Sequence, residues 1–287
     1  LPAEPPLEAF TVPARELPEL SVRVAHVASF HAKAREVVAG GDGTPLTLHA
    51  EVIVVEHPTR GLVLIDAGYG RRSVGHPELY PGRFISRLLE LDVHSSAAAR
   101  LEEIGLKPED VRTIVLTHLH HDHVGGVEDF PTASLVVDAA EWAEGQSKRM
   151  TKGYDPEPYL NRDAETIRFD GTPPYGPFEH HVDLFGDGTV LLFPTPGHTV
   201  GSMSVLVQSP RGKLLYLGDA AWVDDNWRGP TPKGAMARSI VEDDWRLGMD
   251  ALTRVNRWAK GDPELTVMSG HDPMNVERFP WPGPLFE

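Results

Sequence analysis

The sequence predicts an α/β protein in which two β-sheets carry helices on their outer faces and a functional site runs along one rim. Two observations lead there. Strand-like apolar runs are followed by helical patterns in both halves of the chain, and polar residues able to ligate a metal stand directly after several of those runs. A length of 287 residues suits one large α/β domain or two modest ones.

In chain order, residues 1–20 are expected to form an extended N-terminal arm, because Pro2, Pro5, Pro6, Pro13 and Pro18 remove backbone donors and fix φ. Apolar runs at 22–28, 46–55 and 62–66 predict strands of a meander. The last two are separated by the turn signal His57-Pro58-Thr59-Arg60-Gly61. Residues 69–94 mix charged and aromatic residues with glycine and proline, which predicts a mobile surface loop with a helical turn, a candidate flap over substrate. Leu101 and Ile104 are the apolar positions of a helix over 96–104, stopped by Gly105 and Pro108. Arg112 to Leu116 is a short β-branched run, read as a buried strand. Further strands are expected at 134–137, 190–193, 204–208, 213–217 and 265–268. Asp138 ahead of Glu141 opens a short helix by capping logic. Trp245, Met249, Leu252 and Val255 share one face of a longer helix.

Composition narrows the function. With 27 Lys and Arg against 42 Asp and Glu the formal charge is -15, which repels nucleic-acid phosphates and anionic membrane surfaces, so neither is expected as a partner. No apolar run approaches the roughly 18 residues of a membrane span, so the expectation is a soluble protein. The opening carries no signal pattern; we expect a cytoplasmic protein, with export after signal removal as the alternative. No cysteine is present, so a metal would be held by nitrogen and oxygen, and a cysteine nucleophile is excluded.

The chemistry begins where the 112–116 strand ends. Thr117-His118-Leu119-His120-His121-Asp122-His123-Val124-Gly125-Gly126 offers four ligands within six residues. His118 and His120 are two apart, so on extended backbone their side chains point the same way, while Asp122 and His123 come one turn later and can face a second ion. Gly125 and Gly126 let the backbone turn tightly. Three more candidates also stand after predicted strands: His198, Asp219 and His271. Imidazole with carboxylate suits zinc, and also iron, manganese or cobalt. A carboxylate between two imidazole-rich groups can bridge two ions, which would supply a hydroxide without Ser or Cys.

This ordered set, His118-x-His120-x-Asp122-His123 with Gly125-Gly126, then His198, Asp219 and His271, resembles the metallo-β-lactamase superfamily, and all seven ligand positions are filled. The resemblance implies the four-layer αββα sandwich, formed as one hydrolase domain over 21–287. It implies that His118, His120 and His198 hold one divalent ion and Asp122, His123 and His271 a second, with Asp219 bridging and Asp66 orienting ligands from behind. The surrounding residues, Leu-Ile-Asp-Ala-Gly at 64–68, Thr-Pro-Gly-His-Thr at 195–199 and Ser-Gly-His-Asp-Pro at 269–273, look most like the N-acyl homoserine lactonase branch. That likeness implies opening of a lactone or ester by metal-bridging hydroxide, Asp122 or Asp219 relaying the proton, with a small-molecule substrate and a homodimer as the expected assembly. Several lactonases carry a tyrosine three residues after the bridging aspartate; this chain has Trp222, a donor that cannot accept or transfer a proton as a phenol does. Phosphotriester or other ester hydrolysis on the same fold is the alternative chemistry. A metal-retaining binding protein is the non-enzymatic one.

The remaining features take ordinary readings. His26, His31, His49, His57, His76, His94, His121, His180 and His181 are structural or exposed, with His121 pointing away from the ligands. Tyr69, Tyr80, Phe84, Trp222 and Trp227 are candidates for an acyl pocket but better read as core. Asp224-Asp225 and Glu242-Asp243-Asp244 are expected to be solvated faces or helix starts.

Overall fold

The computed structural model describes residues 16–146 and 152–286, so most of the expected Pro-rich arm lies outside the described residues. Seven strands form the first sheet: β1 Ser21–Lys33, β2 Pro45–His57, β3 Gly61–Ile65, β4 Asp92–Val93, β5 Val111–Val115, β6 Ser134–Asp138 and β7 Ala164–Ile167, in the order β4-β1-β2-β3-β5-β6-β7. β1, β2 and β3 make the predicted antiparallel meander, and β3, β5, β6 and β7 run parallel. The second sheet comprises β8 Val182–Asp183, β9 Val190–Pro194, β10 Met203–Ser209, β11 Gly212–Tyr216 and β12 Leu265–Met268, in the order β12-β11-β10-β9-β8, with only the β11–β12 pair parallel.

The two-residue period of a strand sorts its side chains between layers. On β2, Ile53 and Val55 join Val63, Ile65 and Val115 in the core between the sheets, against Val205, Val207, Leu214 and Tyr216 of the second sheet. Val52 and Val54 point the other way and pack with Ala97, Ala98 and Leu101 of the helix Ala97–Glu103. Leu206, Leu215 and Val267 turn outward under Leu252, Val255 and Trp258 of the helix Trp245–Gly261. Helix, sheet, sheet, helix is therefore the order of layers. Burial on both faces is why these strands read as nearly continuous apolar runs.

Helix ends show the expected caps. Ser96 Oγ accepts from Ala99 N, and Asp138 accepts from the N–H groups of Ala140 and Glu141. Glu141, however, does not reach back to complete a capping box; it is fully buried and binds the main chain of two other loops instead. Residues 69–94 also differ from the expected loop. They contain a 3₁₀ turn Arg71–Ser73, a wide turn Glu78–Gly82, the helix Arg83–Leu88 and β4, and they are anchored by buried Tyr69 and Tyr80, with Ser73 Oγ donating to Tyr80 O. Phe84 is exposed, so of the five candidate aromatics Tyr69, Tyr80 and Trp227 are buried and Trp222 alone borders the ligands. Among the described residues no helix is long and apolar enough to cross a membrane.

One buried histidine ties the sheets together away from the site. His57 Nδ1 accepts from the N–H groups of Thr59 and Arg60, closing the β2–β3 turn, while its Nε2 lies 3.0 Å from Asp187 Oδ2 and 3.2 Å from Thr189 Oγ1 beside the second sheet. Replacing it with Phe fills the ring volume but strands these partners. His57→Phe is expected to cost about 2 kcal/mol and to lower Tm by roughly 4–8 °C in a thermal melt; an unchanged Tm would show that the clip is dispensable.

Candidate metal centre

All seven predicted ligands come together along one rim, each from a loop at the end of a strand. After β5 the chain stays extended through His118 and His120, then turns helical over His121–Val124, which swings Asp122 and His123 to the other side of the cluster. This turn packs tightly against the loop after β3: a Cβ on Gly126 would sit 2.2 Å from Ala67 O, and Gly126 N donates to Gly68 O. His198 comes after β9, Asp219 after β11 and His271 after β12.

Two groups result. His118, His120, His198 and Asp219 converge on one point, and Asp122, His123 and His271 on a neighbouring one. Asp219 stands between them. Its Oδ2 lies 3.2 Å from His198 Nε2 and 3.8 Å from His118 Nε2, while Oδ1 lies 2.9 Å from His271 Nε2 and 3.2 Å from His123 Nε2. Asp122 Oδ2 is 3.5 Å from His271 Nε2 and 3.9 Å from His123 Nε2. His120 Nδ1 and His198 Nε2 are 3.0 Å apart, close to the roughly 3.3 Å kept by two nitrogens each about 2.0–2.1 Å from one tetrahedral ion.

The donor atoms fit a cation. Nε2 of His118, 3.8 Å from Asp219 Oδ2, is buried without a hydrogen-bond partner, a costly arrangement for a protein to keep unless something else satisfies it. Burial lowers the pKa of His118, His120 and His198, reinforced by neighbouring imidazoles at the first two and by the Lys233 ammonium at His198, so these rings are neutral with lone pairs free. Burial opposes charge at His123 and His271 too, but there the surrounding carboxylates prevail and raise both. Conversely, burial would raise Asp219, yet His271, His123 and His198 hold its carboxyl well below the usual range. The second group is thus built to hold positive charge.

Supporting contacts fix the rings. Asp66 Oδ2 lies 2.7 Å from His123 Nδ1, and the same carboxylate accepts from Thr117 N, Thr117 Oγ1 and Tyr216 OH. His271 Nδ1 is 2.7 Å from His49 O on β2. An outer contact of this kind selects the tautomer and aims the inner nitrogen. His121 turns to Tyr69, with Nδ1 3.0 Å from the phenol oxygen. Trp222, half-buried, has its ring 6.4 Å from His198 and 6.3 Å from His271, and its indole N–H donates to Asp219 Oδ2 at 2.8 Å.

Three carboxylates make contacts beyond their sequence reading. Glu141 binds Leu119 N and Gly201 N, joining the two loops that carry the first histidine group. Glu242, read with Asp243 and Asp244 as a solvated face or a helix start, is paired with buried Lys233, while Asp244 does cap the helix Trp245–Gly261. Asp224 does open a helix, Asp224–Arg228, but is no solvated group: it accepts from Trp227 Nε1, Ser269 Oγ, Arg228 and Arg278. No spacing marked Lys233; a lone lysine among prolines and glycines carries no pattern.

The metallo-beta-lactamase superfamily model matches residues 48–271. The probable metallo-hydrolase Rv2300c of Mycobacterium tuberculosis is 32% identical over 256 residues, spanning 79% of this chain and 76% of its own. The N-acyl homoserine lactonase AttM of Agrobacterium fabrum is 28% identical over 235 residues, spanning 81% and 85%. A mutant of B. thuringiensis AiiA, solved with N-decanoyl-L-homoserine at its active site, superposes with a TM-score of 0.72 at 20% identity, covering 94% of this chain and 100% of that one. That last likeness is one of fold.

Proposed function

This chain belongs to the metallo-beta-lactamase superfamily, and on that premise we propose that it is a dinuclear metal-dependent hydrolase opening the ring of an N-acyl homoserine lactone or a close ester. The observation that carries the reading is Asp219, buried between two ligand groups with one carboxylate oxygen toward each. The AttM lactonase, at 28% identity over most of both chains, supports the substrate class.

His118, His120 and His198 would hold one ion, Asp122, His123 and His271 the other, and Asp219 both. Five imidazoles and two carboxylates without thiolate suit zinc, while iron, manganese and cobalt accept the same donors. Such ions, when bound, make water nucleophilic near neutral pH and polarise a carbonyl. The protein's share is placement and proton transfer. Asp66 and the His49 carbonyl aim His123 and His271. Asp122, the most solvent-accessible of the seven and held ionised by His123, His121 and His271 against the effect of burial, is the base nearest solvent. The attacking water gives its proton to Asp122 or Asp219 as the new C–O bond forms; the ring C–O bond then breaks and the proton passes to the leaving alcohol oxygen. Trp222 donates to Asp219 Oδ2 and thereby holds that oxygen in place.

Elemental analysis beside initial rates on short- and long-chain acyl homoserine lactones, a phosphotriester and an aryl ester tests this. Two metals per chain with lactone turnover well above the others is the expected result. Two metals with phosphotriester turnover dominant would overturn the substrate and keep the hydrolase.

A further inference from the structure

Lys233 is a buried cation at the back of the metal centre, its side chain 2% exposed. Its ammonium donates to Asp219 O at 2.6 Å and to Glu242 Oε1 at 2.5 Å, and it sits 5.2 Å from the centre of the Trp222 ring. Glu242 is itself nearly buried, so the pair neutralises itself away from water. The segment that carries Lys233 is fixed to the connection between β1 and β2: Gly234 N donates to Glu36 O, and Ala39 N donates to Pro232 O. The lysine therefore approaches from a rigid base.

Besides Glu242 it meets, among the described residues, Asp219 at its main-chain carbonyl and Trp222 at its ring. The main-chain carbonyl of Asp219 sets where that side chain starts, and the Trp222 ring sets where its Oδ2 ends, because the indole N–H holds that oxygen at 2.8 Å. A cation over an indole face is attracted by the ring's quadrupole, and more so where water is excluded. The main chain around Trp222 is pinned as well, Trp222 N donating to Asn226 Oδ1 and His271 N to Trp222 O.

We propose that Lys233, neutralised by Glu242, is a positioning residue: it clamps Asp219 at its carbonyl and, through Trp222, at its carboxylate, fixing the rotamer in which the two oxygens face different ligand groups. This rests on the reading of Asp219 as the bridging ligand. It also assigns the tryptophan at this position to the carboxylate, leaving substrate contact to other groups.

The test is the double variant Lys233→Met/Glu242→Gln, which removes both charges and leaves neither one buried alone. In metal-free protein the Trp222 indole N–H resonance, assigned by its loss in Trp222→Phe, should move in the double variant while the other five indole signals stay. In zinc-loaded protein, chelator should strip metal at least about tenfold faster, with kcat falling more than KM changes. An unmoved Trp222 signal together with wild-type zinc release would overturn the proposal. Should the double variant not fold, Trp222→Phe decides: it keeps an aromatic ring, smaller than the indole, and removes the N–H, and zinc release at the wild-type rate would overturn the clamp. A chain that takes up no metal would sink the functional reading, while the indole comparison on metal-free protein still decides this one.

Discussion

Asp219→Ala is expected to fold and to lose hydrolytic activity by at least about 10³-fold, more than the loss of a single oxyanion donor costs elsewhere. Asp219 is the one side chain whose two oxygens face both ligand groups, at 2.9 and 3.2 Å on one side and 3.2 and 3.8 Å on the other. On the proposed assignment, removing it would take one anionic ligand from each ion and leave His118, His120 and His198 as a purely neutral set, so metal content per chain should fall along with turnover. The variant should still fold, because the main-chain carbonyl at 219 keeps its hydrogen bond from Lys233, but Trp222 Nε1, His123 and His271 lose their partner oxygens and stability should fall by about 3–5 kcal/mol. Elemental analysis and kcat/KM on variant with a wild-type circular-dichroism spectrum provide the check. Full turnover by such a protein would falsify the proposed mechanism.

The ligand set was legible because each member comes after a strand that announces itself. Ile114 and Val115, Leu191 to Phe193, Leu214 to Tyr216 and Val267 to Met268 are buried, so their apolar runs mark strand ends and the polar residue beyond each stands out. β4, β7 and β8 were missed for the opposite reason. They are two to four residues long and largely unburied, and partners distant in sequence, such as Ala28 for Val93, create them. Carboxylates behave likewise: Asp138 caps a helix by local chemistry and was legible, whereas the burial of Glu242 and the hydrogen bonds of Asp224 depend on Lys233, Ser269 and Arg278 arriving from elsewhere. Tyr80, read as core, is 1% exposed; what the loop-like sequence around it hides is the run of turns and the short helix that bury it. Local pattern reports on residues whose environment is set by their neighbours in the chain.

Glu141 should give the largest stability effect. Its Oε1 accepts from Leu119 N at 2.9 Å, between His118 and His120, and its Oε2 accepts from Gly201 N at 3.1 Å, three residues beyond His198. Gly201 is what allows this approach: a Cβ there would lie 2.5 Å from Glu141 N and 2.4 Å from Asp138 Oδ1. Glu141→Ala strands two buried N–H groups and is expected to cost about 2–6 kcal/mol, with metal uptake falling as the two loops separate. Glu141→Gln separates charge from packing. Burial, working against the N–H groups that favour the anion, pushes the Glu141 carboxyl up to about 7 from 4.5. A carboxyl whose folded pKa is raised contributes stability that is complete below about pH 4.5 and disappears as pH rises through about 7, up to about 3 kcal/mol in all. In urea unfolding of metal-free protein, wild type should therefore lose about that much relative to Glu141→Gln between pH 4.5 and 8, whatever fixed cost the amide carries at every pH. A difference between the two proteins that does not change with pH would mean that Glu141 is ionised throughout, held as an anion by the two loops it joins.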